Sequence, residues 1–163
     1  MTSNHMAAIG AAFRDSEEKW LGGFTRFIGR CIVLLDELWT IHDGLLYARS
    51  SNYRCIEIES NNLEVVHIVT SASSTMRGSA LVLSIKRWLN KDWQVKVLHV
   101  GRALNHVANR LASIGRGRNF EATMLTVVSD DVCELVEEER LLSDPIGSSL
   151  VSVAIAPFDP GRG

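Results

Sequence analysis

The chain has 163 residues, 46% of them hydrophobic and 22% charged, with a net charge of −2. That suits one domain with a proper core and excludes a disordered chain. No apolar run approaches the ~20 residues of a membrane span, and MTSNHMAAIG lacks the basic-then-apolar order of a secretory signal. Cys31, Cys55 and Cys133 show no paired metal spacing and read as reduced thiols of an intracellular protein, cytoplasmic or nuclear.

AAIGAAFRD (7–15) and WLGGFTRFIG (20–29) are apolar runs split by the polar DSEEK, the pattern of a β-hairpin. A helix over 33–49 follows, because Leu34, Leu38, Ile41, Leu45 and Ala48 form one buried stripe. Gly44 inside it costs ~1 kcal/mol against alanine and so predicts a close packing contact. CIEIES (55–60) alternates like a strand and runs into a short helix at 62–70. GSALVLSIKRWLN (78–90) is amphipathic, with Leu81, Ile85, Trp88 and Leu89 inward. WQVKVLHV (93–100) reads as a fourth strand. Asn105 can cap a last helix, HVANRLASI, whose Val107, Ala108, Leu111 and Ala112 face inward. VCELVEEERLL (132–142) predicts a short acidic helix within a tail rich in proline and glycine. This order implies an α/β fold: a mixed sheet with helices on its faces.

Charge is segregated along the chain. Residues 86–118 hold eight basic residues and one acid, whereas residues 119–163 hold two basic residues and nine acids. The basic stretch invites a polyanion partner, and the acidic end a masking role; two solvated faces of opposite sign are the alternative.

Four phrases carry a resemblance: AAIGAAFRDSEEKWLGGFTRFIG, LLDELWTIHDGL, IEIESNNLEVV and WQVKVLHVGRALNHVANRLA. In order and content they resemble the ribonuclease H type 1 domain, in the retroelement-derived, reverse-transcriptase-like form common in plants. The resemblance implies a ribonuclease H-like domain over 7–118 and leaves 119–163 as an acidic tail. Active members of that family cleave the RNA strand of RNA–DNA hybrids, with four carboxylates converging on two Mg²⁺ ions.

Carried onto this chain, the helix acid falls on Glu37, which is present. The acid at the end of the third strand falls on Asn61, and the acid of the last helix on Asn109. The first-strand acid has no counterpart, because the matched region begins at the hairpin. That first strand belongs mid-sheet, between the hairpin and CIEIES, so its loss would leave unpaired edges. A domain truncated at its N-terminus or a decayed copy is the expectation, and closure of the gap by the remaining strands is the alternative. Glu59 shares strand parity with Asn61 but lies ~6.6 Å away, too far to replace a ligand. Glu37 alone gives too little charge for tight Mg²⁺, so the expectation is a domain that binds nucleic acid without cleaving it. Lys96, His99, Arg102, Asn105 and Arg110 are the expected contacts to an RNA–DNA hybrid. Residual hybrid endonuclease activity is one alternative; a decayed fragment or interaction scaffold is the other. His99 also suits a purely structural role, and Glu37 that of a polar residue flanking the buried stripe.

Overall fold

Small and aromatic apolar residues zip the first two strands together. β1 (His5–Arg14) and β2 (Trp20–Cys31) pair antiparallel across the DSEEK turn. Asp15 shapes that turn, its Oδ1 accepting the N–H groups of Glu17 and Lys19 at 2.9 Å each. α1 (Val33–Ser50) lies on one face of the sheet, with Leu38, Ile41, Leu45 and Ala48 fully buried as their spacing predicts. β3 (Cys55–Ser60), α2 (Leu63–Thr70), α3 (Ala80–Leu89) and β4 (Gln94–His99) follow, and β3 and β4 are parallel. The second stripe differs in detail: on α3, Val82 and Ile85 are buried, while Leu81, Trp88 and Leu89 pack around the core's rim. The structure is a computed structural model, and it describes residues 5–31, 33–71, 79–101, 105–114, 123–127, 129–142 and 151–157.

α4 (His106–Ile114) crosses the opposite face and buries Val107, Ala108, Leu111 and Ala112. It lies against β1 so closely that a Cβ on Gly10 would come within 2.4 Å of the Ala112 nitrogen. Glycine is therefore required there by contact. Gly44 does not have that role: a Cβ on it would meet Val153 at 3.5 Å, an ordinary van der Waals distance, so the tight contact predicted for Gly44 belongs to Gly10.

The largest departure from the sequence reading is in the middle of the sheet. Its order is β4-β3-β6-β1-β2-β5, where β5 is Thr123–Leu125 and β6 is Val151–Pro157. β6 lies antiparallel to β1 and parallel to β3, with Ala12 opposite Ala154 on one side and Glu59 opposite Ala154 on the other. The place expected to be empty for want of a first strand is filled by the C-terminal segment. Residues beyond 118 thus contribute a central strand, and α5 (Asp130–Leu142) packs on α4.

The alternation of β6 explains why it fits. Val153 and Ile155 join the aliphatic core under α1, and Ala154 and Ala156 join the small-residue floor under α4. Burying a valine or isoleucine side chain contributes about 1.5–3 kcal/mol, and two ladders satisfy the strand's backbone.

Candidate functional site

The turn ESNN is built around a hydroxyl. Ser60 Oγ donates to Glu37 Oε2 at 3.3 Å and accepts the Asn62 N–H at 3.1 Å. Asn62 then caps α2, its Oδ1 accepting the Val65 N–H at 3.2 Å. Asn61 sits between these two, half-buried, just past the end of β3. The fold thus brings Glu37 to the end of β3, as the resemblance implies, but with Ser60 as its partner.

Glu37 is 2% exposed. Burial is the main cause that raises its pKa to about 8; the Ser60 hydrogen bond opposes the shift, and neighbouring Asp36 adds to it. At neutral pH this carboxyl holds a proton. Asn109 lies half-buried on α4, its N–H bonded to the Asn105 carbonyl oxygen at 3.2 Å. Among the described residues, no group of three or more His, Cys, Asp or Glu side chains is arranged to hold a metal ion.

The expected contact residues scatter. Lys96 and His99 are both exposed on β4, opposite Glu57 and Ser60 respectively. Three residues apart on a strand, they point to opposite faces of the sheet. Arg110 is exposed on α4, where its Nη1 donates to Ser113 Oγ at 3.0 Å. Arg102 lies outside the described residues. Asn105 is buried, and neither polar atom of its side chain has a hydrogen-bond partner. The capping role expected of that side chain is taken by Glu139 of α5, whose Oε1 accepts the Val107 N–H at 2.9 Å. A charged carboxylate at a helix N-terminus is a stronger cap than an amide.

Glu139 also belongs to a buried cluster that the sequence reading missed. Its Oε2 accepts from Arg14 Nη1 at 2.7 Å, and Arg14 Nε lies 3.3 Å from Glu18 Oε2, in charge contact without hydrogen-bond alignment. Glu18 holds a left-handed backbone conformation, φ 63, in the hairpin turn. Glu59 faces the same cluster, so it does not stand in for an acid at Asn61. Burial lifts Glu59 to about 7, with Arg14 opposing and Glu18, Glu57 and Glu139 reinforcing. Glu18 is raised too, chiefly by burial. One signal was legible: Val132, Val136 and Glu139 step by four and three along α5 and are all buried. An acid on a buried stripe demands a buried partner.

A mixed sheet of this kind, flanked by helices on both faces and carrying the first-helix acid at the end of β3, defines a ribonuclease H-like domain. The chain belongs to the reverse transcriptase-like family, whose model matches residues 2–115. It is 31% identical over 137 residues to an Arabidopsis thaliana protein named "Putative ribonuclease H protein", an alignment that covers 83% of this chain and 22% of that one. The chain therefore spans about a fifth of the length of the curated relative it matches. No solved structure matches. No described helix is long and apolar enough to cross a membrane.

Proposed function

We propose that this domain binds RNA–DNA hybrids, or nucleic acid of similar helical form, without cleaving them. The observation that carries the reading is the make-up of the acid positions: among the described residues Glu37 is the one carboxyl at them, and it is buried and bonded to Ser60, with Asn61 and Asn109 at the others. Asn61 and Asn109 offer amide oxygens, which can approach Mg²⁺ but bring no charge. Mg²⁺ seeks charged oxygens in near-octahedral array, and this donor set does not fit it. A phosphate backbone, by contrast, needs cations and hydroxyl-reading contacts and no acids. Fewer charged carboxylates at the strand ends also lower the repulsion of phosphates.

Lys96, His99 and Arg110 are the residues assigned to this contact, with Arg102 as a further cation of the same basic stretch; Asn105, expected among them, is only 2% exposed and is withdrawn from the contact. Because Lys96 and His99 occupy opposite faces of an edge strand, the contact is made across that edge and not within a cleft. The test is fluorescence anisotropy of a labelled RNA–DNA hybrid titrated with the chain in Mg²⁺ across a salt series. A stable rise that weakens with salt is expected. Decay of the signal after mixing would mean cleavage and return the domain to the active enzymes. A flat trace at low salt would favour the scaffold reading.

A further inference from the structure

The end of the sheet opposite Glu37 carries a second cationic surface, and we infer that it binds single-stranded nucleic acid through phosphate contacts and indole stacking. Trp93 leads into β4, and its Nε1 donates to the Trp88 backbone carbonyl oxygen at 2.7 Å, which ties the Trp93 indole to the end of α3; both indoles are half-buried at the core's rim. Lys91 Nζ lies 5.0 Å from the Trp88 ring centroid, and the Arg49 guanidinium lies 5.3 Å from that of Trp93. Arg54, just before β3, and Arg87, on the last turn of α3, are exposed. The Arg54 carbonyl oxygen accepts the Gln94 N–H at 2.9 Å, which seats Arg54 beside Trp93.

Four cations therefore gather at this end of the sheet around two half-buried indoles, two of them directly over the rings. That combination suits unpaired strands: phosphates meet the cations, and bases free of pairing can stack on the rings. A duplex offers no unstacked base for the indoles, which is why a single strand is the better ligand. Asp92 supports the assignment. Its exposed carboxylate accepts from Arg49 Nη2 at 2.8 Å, so it sits where a phosphate oxygen would sit on a guanidinium already stacked and oriented.

This surface is separate from the hybrid contact. β3 and β4 are six residues each, so Arg54 lies about 23 Å from Asn61 and Trp93 about 20 Å from His99 along the strands. The inference stands whether or not the hybrid reading does.

The experiment is anisotropy of a short labelled single-stranded RNA, titrated with the full chain across a salt series. The combined variant Arg54→Glu, Arg87→Glu, Lys91→Glu, all at exposed positions, is expected to lose at least about tenfold in affinity. Its salt slope should fall by about 2, since each lost phosphate contact on a single strand is worth about 0.7. Asp92→Asn is expected to tighten binding severalfold, and that single change tests the surface even if the combined variant folds poorly. Affinity and slope equal to the parent's in the combined variant, or no tightening in Asp92→Asn, would overturn the inference. So would equal loss of hybrid binding in the combined variant, which would make the two surfaces one. Competition by polyglutamate as effective as by RNA would reassign the surface to acidic peptides.

Discussion

The two faces of the sheet bury their acids by different means. Facing α1, Glu37 has a hydroxyl for a partner, and burial leaves it holding a proton. Facing α4 and α5, Glu139 and Glu18 gather around Arg14, and Glu139 spends its second oxygen on the Val107 N–H. An acid without a cation is tolerated inside by becoming neutral; a group of acids is tolerated by sharing a guanidinium and a helix end. The position inherited from the family's chemistry falls in the first class, and the contact that fastens the C-terminal segment falls in the second.

The contrast breaks most sharply where neither device exists. Val153→Asp puts an acid on the α1 side of β6, among aliphatic neighbours, and should cost about 4 kcal/mol or more. Urea titration should then show little or no cooperative transition. Arg14→Met leaves Glu18, Glu59 and Glu139 buried without their cation and should cost about 3–5 kcal/mol, more at pH 8 than at pH 5. Glu139→Ala removes one arm of the cluster and the cap of α4, for about 2 kcal/mol, and amide exchange at Val107 should quicken.

Glu37→Gln is the gentlest change, below about 1 kcal/mol at pH 5, because it replaces a neutral group with a neutral group. Its signature is in the pH profile. Glu37 and Glu59 titrate at about 8 and about 7 in the fold, above the ordinary 4.5. The folded state therefore binds more protons than the unfolded chain between those limits. Their contribution to stability is complete below pH 4.5 and is lost as pH rises through 7 and 8. Melting temperatures across pH 5–9 should fall less steeply in Glu37→Gln than in the parent.

Elements with strong periodicity were legible from residues alone. The stripe from Leu38 to Ala48 fixed α1, the alternation of CIEIES fixed β3, and the four buried positions of α4 came out as spaced. β6 was not legible, for a physical reason. SVAIA is a short apolar run without period-two polarity, because a strand covered on both faces has no solvent side to mark it. Its flanking proline and glycine residues read as a loose tail. At the candidate site, Glu37, Asn61 and Asn109 could be placed through the resemblance. The proton on Glu37 could not, since it follows from burial and from Ser60, two facts of packing. The split of Lys96 and His99 onto opposite faces was available from strand parity alone. The Arg14 cluster joins a hairpin turn to a helix more than a hundred residues away, and only the folded topology brings these together.

That topology has a consequence for how the protein is made. β6 is translated after every other strand described, yet it belongs beside β1, where Ile9 pairs with Pro157 and Arg14 with Ser152. While the ribosome is still reading the later codons, β1 and β3 have edges with no neighbour between them. Closure then depends on contacts very distant in sequence, the kind that form slowly and leave an open sheet vulnerable to other chains. A stop codon shortly before residue 151 would therefore take out the middle of the sheet and not a dispensable end.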